Sequence, residues 1–453
     1  MYDIIIIGGG SAGYRAAEIA GKYGKRVLLV EKKSVGGTCL HEGCIPMKTY
    51  LHMCEIKEKA MRVAENNIFQ NFDVPKVNLE ALSQNTCKTI SNLEKGVLSG
   101  LKGVGVEIIN GTAKIISAST ENVTLQVDDK IFKGKNCIIA TGSQAVNFSG
   151  TESAKTYNII GSSDIFNLKD SPKNICIIGG GAVGLEAASL FQSLGSKVTV
   201  AESLPYIGGE MDREFSQLLQ KLLEKRGIRF LLNTKFEKFL PNEILFSSDD
   251  KIFSESFEYV LIAVGRKPFT DHLGLENIGV DYDKNGIVID EHCRTSNPMI
   301  YACGDVTGKI MLAHVAYMHS KVAVDNICGK KSILNYDTVP KIIYSFPTYI
   351  SVGFSEEYCR DKKISYLTKQ LPMTYNGKYY AENGRDGGRV KILITPETQR
   401  LLGFHAVGID ITELDSAAEI MINNKMCLED IKNFIFAHPT FGEIFQTLAN
   451  STI

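Results

Sequence analysis

The chain contains no Cys-x-x-Cys and no second cysteine or histidine pair at zinc-finger spacing, so a structural metal site is not expected. Its eleven cysteines, an odd number spread along 453 residues, are equally unlike the disulfide framework of a small secreted domain. A reducing cytosol fits this usage best, and there a disulfide is more often catalytic than structural. No apolar run approaches the ~20 residues that span a bilayer. No basic leader precedes "MYDIIIIGGG", so no cleavable targeting peptide is expected. Neither charge sign is in excess: 50 basic residues face 51 acidic ones, which gives no footing for nucleic acid or a membrane surface. These absences leave an ordinary globular, cytoplasmic chain, long enough for two to four domains.

What the chain does contain is an internal repeat. "YDIIIIGGGSAGYRAAEIAGKYGKRVLLVE" runs from a β-branched strand through a glycine cluster and a helical stretch to a second apolar run ending in Glu31. "KNICIIGGGAVGLEAASLFQSLGSKVTVAE" repeats that order and ends in Glu202. Gly8, Gly10 and Gly13 correspond to Gly179, Gly181 and Gly184, and each acid lies 23 positions after the first glycine of its copy. The first glycine permits a tight strand-to-helix turn, the second lets backbone approach a pyrophosphate, and the third lets helix and strand pack closely. The helix N-terminus then offers N–H groups and a positive dipole end to phosphate, and the acid accepts from ribose hydroxyls. Two dinucleotide sites are implied. A carboxylate at Glu202 favours a free 2′-hydroxyl, and the following "SLPYIGGEMD" has no arginine for a 2′-phosphate, so NAD is favoured over NADP.

Between the first acid and the next helical stretch lies "GGTCLHEGCIPMK", with Cys39 and Cys44 five positions apart. The residues alone leave a redox couple, a metal site and two buried thiols open. Residues five apart do not share a face of a regular helix, so a bridge would need a distorted turn, aided by Gly43, to bring the Cα atoms within roughly 4.4–6.8 Å.

With this loop, both glycine fingerprints and the C-terminal "AHPTFGE", the chain resembles the dihydrolipoamide dehydrogenases among the pyridine nucleotide–disulfide oxidoreductases, over essentially its whole length. The resemblance implies an α/β fold with two Rossmann-like dinucleotide-binding domains and an α+β C-terminal dimerisation domain. It places FAD on the first fingerprint and NAD on the second. Cys39 becomes the interchange thiol facing substrate and Cys44 the thiol beside the flavin, with Lys48 near the flavin N5. His438 is implied as the base that takes a proton from the incoming thiol, oriented by Glu443. Thr141, Gly142 and Ser143 in "CIIATGS" and Asp305 in "IYACGDV" resemble FAD-contacting segments, and Gly111 and Ala313 are expected among the cofactor residues. Gly265 and Arg266 in "LIAVGRKP" resemble the segment closing the nicotinamide domain. "MLAH" resembles the lipoamide enzymes more than the glutathione reductases, and "FQTLANSTI" has no C-terminal thiol pair of the mercuric or large thioredoxin reductase kind. Of the other histidines, His314 alone is kept as a candidate.

The expected regions are residues 1–150 for FAD, 151–264 for NAD, 265–331 completing the FAD domain and 332–453 for the interface. The resemblance implies a homodimer whose sites combine two subunits, and a lipoyl-bearing acyltransferase or glycine-cleavage H protein as partner. No fused lipoyl domain is expected, since the chain opens on the FAD fingerprint. Several positions depart from the family pattern: His41 and Glu42 where Asn-Val is usual, Met47 for a serine, Thr348 for a glutamate and Gly442 for a serine. The expected activity is NAD-dependent oxidation of dihydrolipoamide. Its rivals are an NAD(P)H-dependent reductase of another small disulfide and a non-catalytic flavoprotein that senses NADH.

Overall fold

A strand read as "YDIIII" is apolar at successive positions, as a parallel strand covered on both faces must be. Tyr2–Ile7 forms β1, in which Ile4, Ile5 and Ile6 are fully buried. The computed structural model describes residues 1–65, 69, 72–146, 158–241, 243–249 and 251–452. The expected boundary between residues 150 and 151 lies outside them. Two compact units emerge: Met1–Thr49, Glu80–Asn147 and Gly265–Leu334 form the first, and Tyr50–Leu79, Phe148–Val264 and Asn335–Ile453 the second.

In the first unit, α1 (Ser11–Lys22) follows β1 and returns the chain to β2 (Val27–Glu31), parallel to β1. Its buried face is made of Ala12, Ala16, Ala17 and Ala20, small side chains that let helix and sheet approach closely. The short α2 (Gly37–His41), the longer α3 (Cys44–Glu65), which belongs to the second unit from Tyr50 onward, and α4 (Leu79–Gly103) precede β3 (Glu107–Asn110), which extends the parallel sheet beyond β2. β4 (Ala113–Ala118), β5 (Val123–Val127) and β6 (Lys130–Ile139) form an antiparallel meander. β6 has two neighbours on one side: its first half pairs with β5, and its second half lies parallel to Ile300–Ala302. Its other side lies parallel to β1. Alternation sends Ile5, Ile7, Leu28 and Ile139 to one core and Ile4, Ile6, Leu29 and Ile138 to the other.

The second unit repeats the parallel design. Among the described residues its sheet runs Arg229–Leu231, Lys197–Ala201, Asn174–Ile178, Tyr259–Ile262, Asn158–Ile160, with every neighbour parallel. α5 (Ala182–Ser193) and α6 (Arg213–Lys225) are its crossover helices. Phe215, Leu219, Leu222 and Leu223 bury one face of α6 at helical spacing. Its C-terminal part is an antiparallel sheet in the order Lys341–Ile343, Thr348–Gly353, Leu401–Gly408, Arg389–Ile394, Leu367–Pro372. Leu401–Gly408 is buried along its full length, and residues of helices Leu414–Asn423 and Glu443–Asn450 share its core. The expected fold class, two Rossmann-like units followed by an α+β C-terminal part, is the one observed.

Candidate functional site

The two fingerprints make matching bonds. Gly8, at φ +99°, would place a Cβ 2.3 Å from the Ala140 carbonyl oxygen; Gly179, at φ +110°, would place one 2.4 Å from that of Ala263. Neither position admits another residue without moving backbone. A Cβ on Gly13 would stand 1.7 Å from the Gly8 carbonyl oxygen, and one on Gly184 1.9 Å from that of Gly179. The acids close each turn. The Gly9 amide donates to Glu31 Oε2 at 2.6 Å and the Lys33 amide to Oε1 at 2.8 Å. The Gly180 amide donates to Glu202 Oε2 at 2.7 Å and the Leu204 amide to Oε1 at 2.9 Å. Gly10 and Gly181 are the N-caps of α1 and α5, and neither helix has a side-chain cap. Bare helix N-termini beside fixed carboxylates are the donor and acceptor set that a dinucleotide requires, so the residues present fit one in each unit.

In the first unit the segment after Glu31 folds back at once: the Gly36 amide donates to the Gly9 carbonyl at 2.8 Å. α2 then carries Cys39, and α3 starts at Cys44. The helical ladder breaks at Glu42 (φ −132°), which resolves the five-residue spacing: Cys39 and Cys44 are joined in a disulfide with Cα atoms 4.7 Å apart. Gly43 is needed for space, not for a left-handed backbone, because a Cβ there would lie 3.1 Å from the Thr38 carbonyl oxygen. Both cysteines are half-buried. Lys48 lies one turn beyond Cys44 on the same face of α3. His41 Nε2 donates to the Val35 carbonyl at 3.0 Å and stands 4.0 Å from Glu94 Oε1, while Glu42 lies 3.6 Å from Lys33 Nζ.

The "ATGS" and "CGD" segments meet in the same unit. Arg266 Nε donates to Ser143 Oγ at 2.7 Å, and Ser143 Oγ donates to Asp305 Oδ2 at 2.6 Å. Thr141 Oγ1 donates to the Phe269 carbonyl at 2.6 Å, and the Phe269 amide to that of Gly142 at 2.9 Å. Gly265 accepts from the Val146 amide at 3.1 Å, so Gly265 and Arg266 are tied to this segment. The Gly111 amide is used by the Glu31 carbonyl at 3.0 Å and fixes the end of β2. Ala313 opens α7 (Ala313–Ile327), which has no side-chain cap.

His314 is exposed on α7, whereas His319, which sequence reasoning passed over, is fully buried and accepts from the Gly304 amide at Nδ1, 3.1 Å away. Burial, with Lys309 nearby, pushes that imidazole down to about 4. Nothing in the sequence marks which face of α7 lies inward, so no signal singled it out.

In the second unit His438 Nδ1 lies 2.9 Å from Glu443 Oε1, and the Thr440 amide donates to Oε2 at 2.7 Å. The Thr440 bond, then the His438 bond, hold the Glu443 carboxyl below its usual range. An ionised carboxylate only accepts, so Nδ1 carries the proton and Nε2 is the basic nitrogen. The imidazole is largely exposed. Thr348 and Gly442 disturb neither the cysteine pair nor the His438–Glu443 pair.

The family model described as pyridine nucleotide-disulphide oxidoreductase matches residues 2–320, and that of its dimerisation domain matches 339–449. The chain is 38% identical to a dihydrolipoamide dehydrogenase of Chaetomium thermophilum, over 99% of this chain and 91% of that one. It is 32% identical to a dihydrolipoyl dehydrogenase of Bacillus subtilis, over 99% and 98%. Among solved structures it is similar to the HOCl-induced flavoprotein disulfide reductase RclA of Escherichia coli, with a TM-score of 0.84, 26% identity and 99% of each chain covered. The chain belongs to the pyridine nucleotide-disulphide oxidoreductase family. Its cofactors are those of the family, FAD and NAD, and its C-terminal part is a dimerisation domain. No helix among the described residues is long and apolar enough to cross a membrane.

Proposed function

We propose that this protein oxidises a protein-bound dihydrolipoyl group to its cyclic disulfide and reduces NAD+ to NADH. The observation that carries this reading is the Cys39–Cys44 disulfide, set at the head of α3 on the segment that leaves Glu31 and returns to the glycine turn. A half-buried disulfide on a rigid cofactor unit is suited to exchange with an incoming dithiol.

A substrate thiol gives its proton to His438 Nε2, and the thiolate attacks Cys39 Sγ. The Cys39–Cys44 bond breaks, leaving a mixed disulfide and a Cys44 thiolate. His438 passes that proton to solvent and takes one from the second substrate thiol, whose thiolate attacks the substrate sulfur of the mixed disulfide; the lipoyl ring closes and Cys39 leaves as a thiolate. The substrate has lost two electrons and two protons, and the cysteines hold the electrons. Glu443 keeps His438 in the tautomer this requires and stabilises its protonated form. Lys48, one turn from Cys44, supplies positive charge toward the thiolate side. Bound FAD supplies the two-electron step between this thiol pair and NAD.

In the homodimer His438 and Glu443 serve the disulfide of the other protomer. We assign residues 1–150 with 265–331 to FAD, with Gly8, Gly10, Gly13, Glu31, Gly111, Thr141, Gly142, Ser143, Asp305 and Ala313 toward it. Residues 151–264 are assigned to NAD, with Gly179, Gly181, Gly184, Glu202 and Gly265 toward it, and residues 332–453 to dimerisation. The substrate arm belongs to a lipoyl-bearing acyltransferase or glycine-cleavage H protein, in the cytoplasm.

Steady-state rates test this directly. Dihydrolipoamide with NAD+ should turn over, and glutathione disulfide with NADH or NADPH should not. Absence of turnover with dihydrolipoamide would overturn the substrate assignment.

A further inference from the structure

Beyond Glu202 the second unit has a segment with no catalytic assignment, anchored at its start, middle and end. Its start is bonded to the acid through the Leu204 amide and Ser203 Oγ. Its middle touches the glycine turn, the Gly208 amide donating to the Gly180 carbonyl at 2.8 Å. Its end is Asp212, the N-cap of α6, whose Oδ1 accepts from the Phe215 amide at 3.3 Å.

Asp212 and Lys391 have side chains 1% exposed, and their Oδ1 and Nζ atoms are 2.7 Å apart. The same ammonium stands 2.7 Å from Glu356 Oε1 and 3.3 Å from Glu214 Oε2. Burial works against the lysine's charge, but hydrogen bonds to Asp212 and Glu356 outweigh it and hold the ammonium above the usual lysine range. The three carboxylates have the spacing of a cation site, and Lys391 Nζ bonds to each of them.

The lysine comes from the C-terminal sheet, where Gln370, Lys391, His405, Ser351 and Lys341 are successive cross-strand neighbours. This polar row crosses all five strands. It meets the acidic stretch that leads into the first turn of α6 at alternate residues: Lys341 bonds Glu210 at 2.6 Å, Lys391 bonds Asp212, and Gln370 bonds Glu214 at 3.0 Å. A covered sheet face gains stability from apolar side chains, and a buried ion network adds little to it. Among the described residues Asp212 Oδ2 has no hydrogen-bond partner, so this network is not arranged to maximise stability. It specifies position.

We propose that Lys391 is a positioning residue for NAD: by fixing Asp212 it holds the segment that borders Glu202 and the Gly180 turn, so the C-terminal sheet sets dinucleotide affinity. The proposal rests on the second fingerprint being the NAD site and is independent of which dithiol is oxidised.

Lys391→Met keeps the length and apolar stem of the side chain and removes its charge, leaving three carboxylates to repel one another. Lys391→Arg keeps the charge. In the holoenzyme, NADH binding is measured by calorimetry, and anaerobic flavin reduction by dihydrolipoamide is measured separately. For Lys391→Met the NADH dissociation constant should rise roughly tenfold, while the rate of flavin reduction stays within about twofold of the parent; Lys391→Arg should recover part of the affinity. A folded Lys391→Met with unchanged NADH affinity overturns the proposal. If that variant does not fold, Asp212→Asn, which keeps an N-capping oxygen and removes the charge that Lys391 holds, replaces it, and unchanged affinity there overturns the proposal equally. Should dihydrolipoamide fail to reduce the parent flavin, the substrate assignment falls and the calorimetry still decides the role of Lys391.

Discussion

The two dinucleotide turns differ in one place. Gly8 and Gly179 crowd a carbonyl at the same distance within 0.1 Å, Glu31 and Glu202 accept the same pair of backbone amides, and Gly36 and Gly208 return to the turn through the same bond at 2.8 Å. After that bond the paths part. The first segment enters α2 and the Cys39–Cys44 disulfide; the second reaches Asp212, the lysine network and α6. The shared part is set by steric exclusion at backbone and by two backbone hydrogen bonds per acid, requirements that any dinucleotide imposes. The chemistry lies in the stretch just beyond, where no such requirement acts.

Replacing Cys39 by Ser should break this comparison most severely. It should lower dihydrolipoamide–NAD+ turnover at least about a thousandfold, since the sulfur that the substrate thiolate attacks is lost, while NADH affinity measured by calorimetry stays unchanged. Equal losses in both would mean that the two segments do not divide the work.

Next come the packing glycines. Gly13→Ala and Gly184→Ala each force a methyl into a carbonyl and should cost at least about 3 kcal/mol, beyond ordinary overpacking. A Cβ on Gly181 meets nothing within 4 Å, so Gly181→Ala should shift stability by less than about 0.5 kcal/mol and weaken NADH binding alone. Thermal unfolding read beside flavin content and NADH affinity checks all three.

His319 sharpens the first unit only. Its Nδ1 must be unprotonated to accept from Gly304. Between the ordinary value of 6.5 and about 4 the unfolded chain binds a proton that the folded chain does not. Stability is therefore lost as pH falls through that window, by roughly 3 kcal/mol over its full width. His319→Asn should flatten the difference in thermal midpoint between pH 7 and pH 4.5; an unchanged difference would assign the acid sensitivity elsewhere.

The smallest effect is expected at His41 and Glu42, which lie between the cysteines with charged neighbours Glu94 and Lys33. Replacing them together by Asn and Val should displace the pH profile of turnover by a fraction of a pH unit, on the order of the surface-charge effects expected at exposed pairs. Superimposable profiles would show that the loop geometry alone sets the couple.

Much of this was legible in the chain because local rules forced it. Gly8, Gly13, Gly179 and Gly184 are glycines since a Cβ would strike backbone, and their spacing to Glu31 and Glu202 is fixed by one strand-helix-strand unit. The His438–Glu443 pairing came through the family resemblance, and the two side chains meet across one short turn. The cysteine pairing came through family resemblance, because the helix break at Glu42 that brings the two together has no strong sequence mark. Lys391 was hidden for a different reason. In "VKILIT" it reads as an ordinary strand lysine, and the partner that buries it, Asp212, is 179 positions away. His319 required knowing which face of α7 lies inward. The double use of β6 was equally out of reach, since its second partner is not encoded until Ile300.

That last pairing bears on the order in which the protein can be made. The first unit is written in three instalments, with Phe148–Val264 of the second unit synthesised between the last two. Until Ile300–Ala302 leaves the ribosome, the second half of β6 is an open strand edge, the kind of surface that associates wrongly when left waiting. Asp305 follows within a few residues, so completing the sheet and delivering the Ser143 partner occur in the same stretch of translation. A nascent chain stopped short of Ile300 therefore lacks both the strand that covers the second half of β6 and the carboxylate that Ser143 bonds.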